Sequence, residues 1–238
     1  NMPTVPVDDI LIHPRENDLI FGTHGRSIWI MDDITPLEQM NEATLSSPIH
    51  LFDIRKATMW RTWNNKALTS DKAFYGQNPP TGALVNFFLK DALGEKESVA
   101  ITIQDEKGQT VRTANCVRRP APGQAPQQGQ GRGQGGGGGF GGFGGGNQSC
   151  FAEKGLNRFV WDLRSRPAAG PMEGQMGGGG FGGFGQAGFR VDPGVYTVKL
   201  KFGSTEVSKT VTVEEDPRVS ITPEQRAAKR AALAKLQP

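Results

Sequence analysis

The 238-residue sequence contains no run of about 18 apolar residues, so it offers no candidate for a helix that crosses a membrane. Histidine is scarce. His13, His24 and His50 stand far apart, and together with only two cysteines they show no metal-ligand spacing. Nor is charge of one sign in excess. Lys and Arg number 27 against 24 Asp and Glu, a net charge of +3 that is too balanced for a dedicated nucleic-acid binder. Such a surface tolerates an anionic membrane or partner without demanding one. A Walker lysine, H-E-x-x-H and G-x-S-x-G are all missing. No catalytic residue, metal ligand or cofactor site is expected.

What is abundant is glycine, and its excess is local. Of 33 glycines, 23 fall in two tracts, Gly129–Gly146 and Gly170–Gly188. The nonapeptide Gly-Gly-Gly-Gly-Phe-Gly-Gly-Phe-Gly occurs at Gly136–Gly144 and again at Gly177–Gly185. Both copies satisfy G-x-G-x-x-G, but neither follows a strand and opens a helix, so the basis for pyrophosphate binding is missing. Such tracts bury too little side chain to offset their ordering entropy. Phe140, Phe143, Phe181 and Phe184 are candidate anchors for apolar grooves of a protein partner, with glycine letting the backbones approach closely. Packing of the tracts on each other or on the domain is the other reading.

Cys116 and Cys150 bracket the first tract. Joined, they would close a loop of about 35 residues, stabilising by roughly 3.5–4 kcal/mol on chain-entropy grounds. The bridge implies an oxidising compartment, periplasm or cell exterior. Two unrelated buried thiols remain the alternative. The chain opens Asn-Met-Pro with no leader, which reads as a trimmed N-terminus or a piece of a longer precursor.

Along the chain the pattern is short strands with turn punctuation. Val7–His13, Asp18–Thr23 and Ser27–Met31 read as a three-stranded meander, turned first at Pro14-Arg15-Glu16-Asn17. Thr35-Pro36 opens a helical turn through Glu38–Asn41. Ile49–Asp53 is a candidate strand, and the tryptophan-bearing stretch Met59–Trp63 follows. Ala83–Lys90 has Val85, Phe87 and Leu89 on one face. Val99, Ile101 and Ile103 alternate before the turn Asp105-Glu106-Lys107-Gly108, and Thr110–Thr113 returns. Phe159, Trp161 and Leu163 alternate against Arg158, Asp162 and Arg164. Asp192-Pro193-Gly194 turns into Tyr196, Val198, Leu200 and Phe202, and Gly203-Ser204 into Val207, Val211 and Val213. Six or seven such strands predict an all-β, antiparallel immunoglobulin-like sandwich. Thr222-Pro223-Glu224-Gln225 then forms a capping-box start to a short C-terminal helix over Arg226–Leu236. Its thin apolar face leaves open whether it packs on its own domain or on a partner.

The stretch Thr4–Pro14, with Gly22-Thr23-His24-Gly25-Arg26-Ser27-Ile28-Trp29-Ile30-Met31-Asp32-Asp33-Ile34, resembles the closing blade of a β-propeller group. These are secreted bacterial proteins with BNR or sortilin-type repeats, often labelled glycosyl-hydrolase-like. In that group an immunoglobulin-like domain follows the blade, and Gly155–Arg164 and Pro193–Val198 match its strands. The resemblance implies a partial propeller blade over 1–45 and an immunoglobulin-like sandwich over 46–216. Gly-rich insertions at 117–150 and 167–189 interrupt the sandwich, and the helix occupies 217–238. A propeller needs at least four blades of about 40–45 residues, and the aspartate box of sialidase-like blades is absent. Glycosidase activity is therefore not expected.

His24, Arg26, Asp32 and Asp33 form the densest polar cluster; acid–base chemistry would need them to converge in a cleft, whereas a hydrogen-bonded turn would not. Asp162 between Arg158 and Arg164 reads as a cross-strand ion-pair partner. The expectation is thus a non-catalytic, periplasmic or extracellular scaffold that docks on a larger assembly. One setting is the periplasmic face of a membrane electron-transfer or photosynthetic complex. The alternative is a glycan- or peptide-binding accessory domain of a secreted propeller hydrolase, working through exposed Trp60 and Trp63.

Overall fold

The N-terminal meander forms where the three apolar runs lie. Strands β1 (Val7–Ile12), β2 (Leu19–Thr23) and β3 (Ile28–Met31) pair antiparallel in that order. The β1–β2 turn closes through His13 N–H to the Asp18 carbonyl at 2.8 Å, with Asn17 at φ 52°. The computed structural model describes residues 2, 4–61, 79–120, 150–165 and 189–234.

Two short helices follow, α1 (Thr35–Gln39) and α2 (Glu42–Ser46). Pro36 sits in the first turn of α1, and Asn41 caps α2 by accepting the Thr44 N–H at 3.0 Å. The Gln39 side chain ties α1 to the body, donating to Asp53 Oδ2 at 2.8 Å and accepting from Asp53 N–H at 3.1 Å.

The body is mostly β, with a sheet curled into a half-barrel and a short C-terminal helix. Its strands are β4 (Ile49–Leu51), β5 (Ala57–Met59), β6 (Ala83–Leu89), β7 (Ser98–Gln104), β8 (Thr110–Arg118), β9 (Cys150–Ala152), β10 (Gly155–Trp161), β11 (Gly194–Phe202) and β12 (Thr205–Glu215). A three-stranded sheet runs β10-β6-β4 and a six-stranded one β5-β12-β11-β7-β8-β9. Side chains from both sheets join one core, including Val85, Phe87, Ile101, Trp161, Leu200 and Val213.

Pairing is not antiparallel throughout. β5 runs parallel to β12, and β9 parallel to β8. Both are three-residue edge strands set in place by contacts distant in sequence. Strand β6 also departs from the one-sided pattern. Leu84 and Asn86 are buried along with Val85 and Phe87, because β6 is the central strand and is covered on both faces. Gly82 leads into it at φ 133°, where a Cβ would run into the Trp161 carbonyl oxygen.

The β7–β8 and β11–β12 hairpins lie where the turn residues place them. Asp105 Oδ1 accepts the Lys107 and Gln109 N–H groups at 2.9 and 2.8 Å, and Gly108 takes φ 74°. Helix α3 (Pro223–Ala234) opens on a reciprocal capping box: Thr222 Oγ1 accepts the Gln225 N–H at 3.3 Å, and Gln225 Oε1 accepts the Thr222 N–H at 3.0 Å. Most of α3 stands in solvent, with Arg226 half-buried.

Tyr196 stands edge-on to Trp161 at 5.1 Å, and its hydroxyl donates to the Asp192 carbonyl at 2.7 Å. Burial first, then the nearby Asp192, pushes this phenol up to about 12. The folded chain therefore holds the proton that the unfolded chain sheds near pH 10, and stability falls as pH rises from about 10 to 12. Alkaline absorbance titration should show a late tyrosine that vanishes in Tyr196→Phe. A single transition near pH 10 in the parent would refute this.

Candidate functional site

The cluster His24, Arg26, Asp32 and Asp33 does not converge. His24 Nδ1 lies 3.0 Å from Asp8 Oδ2, with both side chains mostly in solvent, and exposed Arg26 uses its carbonyl to accept from Trp29 Nε1 at 3.0 Å. Asp33 points the other way and is only 2% exposed. Its Oδ2 accepts from Asn86 Nδ2 at 2.7 Å and its Oδ1 from the Thr35 hydroxyl at 2.6 Å. The same residue occupies the left-handed region at φ 54°, which aspartate tolerates better than most.

These bonds belong to a larger junction between the meander and the body. Arg158 on β10 donates Nε to Asn86 Oδ1 at 2.8 Å and Nη2 to the Asp32 carbonyl at 2.7 Å. Arg55 Nη1 reaches Asp18 Oδ1 at 3.1 Å and Glu16 Oε2 at 3.2 Å, and also donates to the Glu16 carbonyl. Asp18 Oδ1 in turn accepts the Asp33 N–H at 2.9 Å. Burial, and then the Asp18 charge, raise the Asp32 carboxyl above its ordinary value. The arrangement gives the buried Asp33 and Asn86 side chains their hydrogen-bond partners and fixes one element on another.

Asp162 accepts the Arg164 N–H at 3.3 Å, while Arg158 turns to Asn86 and the meander carbonyls. Cys116 and Cys150 are joined, directly opposite each other on parallel β8 and β9. Phe140, Phe143, Phe181 and Phe184 lie outside the described residues, as do Trp63 and both glycine tracts. Trp60 is half-buried, with the Arg218 guanidinium 5.5 Å from its ring centroid. An open pocket of about 460 Å³ is lined by Pro48, Ser98, Phe202 and Glu97, whose carboxylate is taken by the Gly94 N–H at 2.8 Å. Among the described residues no three His, Cys, Asp or Glu gather as a metal site, and no helix is long and apolar enough to cross a membrane.

One surface escaped the reading by motif. Register places Leu11, Ile20 and Ile30 in a row on one face of the meander, with Ile28 beside them. The other face carries two rows, Ile10-Phe21-Trp29 and Ile12-Leu19-Met31. Ile10, Leu11, Ile28 and Ile30 are 59%, 55%, 68% and 59% exposed. The meander is thus apolar on both faces and open on both. The signal was in the sequence: Ile10-Leu11-Ile12, Leu19-Ile20-Phe21 and Ile28-Trp29-Ile30-Met31 are continuous apolar runs, the mark of a sheet covered on two sides.

Compared with known proteins, the chain matches no family model, no curated protein and no solved structure.

Proposed function

We propose that this chain is a non-catalytic, extracytoplasmic scaffold that docks on and stabilises a larger protein assembly, such as the periplasmic face of a membrane complex. The observation that carries the reading is the β1–β3 meander, apolar and open on both faces. Isolated exposed apolar residues are ordinary, but a contiguous two-sided patch marks a contact surface. A sheet of this kind is a middle layer, and its partners are β-sheet faces stacked about 10 Å away on either side. That is the covering a propeller blade receives from its neighbours, in keeping with the resemblance of 1–45 to a partial blade. The Asp33–Asn86–Arg158 junction supports the scaffold role, because it fixes the docking sheet to a rigid body.

Two features favour an immunoglobulin-like body. Core side chains come from two sheets, and Tyr196, near the start of β11, donates to a carbonyl four residues upstream, the tyrosine-corner arrangement of such sandwiches. The disulfide supports an oxidising compartment. Glycan binding through Trp60 is disfavoured by the guanidinium over its ring.

The test is native, non-reducing purification from the source envelope, with mass spectrometry of what travels with the chain. The parent should co-migrate with a larger assembly. The double variant Ile28→Asp/Ile30→Asp should fold normally, since both sites are exposed, yet lose co-migration. Deleting the two glycine tracts, which carry Phe140, Phe143, Phe181 and Phe184, should also weaken it. A free parent monomer, or a double variant that still co-migrates in full, would overturn the reading.

A further inference from the structure

Away from the meander, the ends of β5, β12 and α3 gather arginines. Asp216, fully buried just past β12, accepts from the Arg61 N–H at 2.9 Å and the Arg218 N–H at 3.0 Å. Arg218 also grips it with the guanidinium fork, Nε at 2.8 Å and Nη2 at 2.6 Å. The same Nη2 donates to the Arg61 carbonyl at 3.0 Å, and the guanidinium lies over Trp60. Arg190 Nη1 reaches the Trp60 carbonyl at 3.5 Å. Glu215 stands 3.8 Å from Arg61 and 3.9 Å from Arg226, and Arg230 pairs with Asp192 at 3.1 Å.

Among the described residues, this corner holds five arginines and three carboxylates, a surplus of two positive charges beside the chain's net +3. Asp216 is saturated, and the Glu215 contacts are too long for hydrogen bonds. The side chains of Arg61, Arg218 and Arg230 are nonetheless 47%, 62% and 64% exposed.

We propose that this corner, Arg61, Arg190, Arg218 and Arg230 around Trp60, docks an acidic segment of a partner protein. Guanidinium forks match carboxylates two bonds at a time, and the corner's own carboxylates show that geometry in the Arg218–Asp216 pair. Arginine and tryptophan are the residue types that dominate protein interfaces. The arginines come from four separate stretches, just past β5, just before β11, just past β12 and within α3, which suits several carboxylates on an extended segment. A single phosphate would need a converging cradle. A lipid surface would need apolar side chains to insert, and none of the exposed large apolar residues among the described residues belongs to the corner. This surface is separate from β1–β3, so failure of the Ile28/Ile30 test leaves it standing.

The experiment is titration of the full chain with a short glutamate-rich peptide at low salt, with inorganic phosphate and phosphatidylglycerol vesicles as parallel arms. Saturable peptide binding that weakens with salt is expected. Arg61→Gln/Arg190→Gln should raise Kd by about tenfold or more while the fold persists, because Asp216 takes the backbone N–H of Arg61 and not its side chain. Lys154→Gln, on the β9–β10 turn at the far edge of the six-stranded sheet, should leave Kd unchanged. Absence of peptide binding, an equal loss in Lys154→Gln, or phosphate or vesicles binding as tightly as the peptide would each overturn the proposal.

Discussion

Reduction of the Cys116–Cys150 bridge is expected to lower folding stability by about 3.5–4 kcal/mol and the melting temperature by roughly 10 °C. The bridge spans a sequence separation of 34, and opening it frees the unfolded chain to explore a long glycine-rich loop. In the folded state the two residues sit in register on parallel strands with Cα atoms 4.2 Å apart, both within the core. Strand β9 is three residues long and at the sheet edge, so the covalent link is its main anchor. Cys150→Ala alone should therefore cost about as much as Cys116→Ala/Cys150→Ala, since a lone buried thiol behaves as a small apolar group. Thermal melts of the oxidised, reduced and double-alanine chains measure this. A reduced chain melting within ~2 °C of the oxidised one would refute the assignment of the bridge as the anchor.

Much of the fold was legible because its signals are local. Val99, Ile101 and Ile103 alternate, and each is buried on β7. Gly203-Ser204 turns between Leu200 and Val207, which then face each other across β11 and β12. Thr222 and Gln225 announce the helix start and make both bonds of the box. What stayed hidden is non-local. Nothing in Ala57-Thr58-Met59 says that it lies parallel to Val213–Glu215, and nothing in Phe151 sets it opposite Val117. Helix α2 is one turn long, too short for a periodic signal. At the candidate site, His24 and Asp33 are close in sequence but at opposite ends of the meander, because β3 runs between them from its pairing with Gly22 to its pairing with Leu19. The true partners of Asp33, Asn86 and Arg158, are 53 and 125 residues away in sequence.

That junction yields the second large effect. Asp33→Ala is expected to cost about 3–5 kcal/mol, by stranding the buried Asn86 amide, freeing the Thr35 hydroxyl and placing alanine at φ 54°. Asp33→Gly should be about 1 kcal/mol milder, since glycine accepts that backbone conformation freely. Asp33→Asn separates charge geometry from size. With its amide oxygen on Thr35, its amide nitrogen faces Asn86 Nδ2, and Asn86 cannot flip because its Oδ1 is held by Arg158 Nε at 2.8 Å; turned over, the nitrogen meets the Thr35 N–H that Asp33 Oδ1 otherwise accepts. Two donors face each other, so even this near-isosteric change should cost about 2 kcal/mol. The loss should also be uneven. Asp33 links the meander to β6 and β10, so amide hydrogen exchange in Val7–Ile12, Leu19–Thr23 and Ile28–Met31 should accelerate most, while Ser98–Gln104 and Gly194–Phe202 keep their protection. Uniform acceleration would mean that Asp33 supports the whole core, and none would mean that the meander is held elsewhere. Selective release would instead separate the docking sheet from its rigid support within an intact body, and co-migration with the larger assembly should then fall even though every apolar contact residue of the meander is still present.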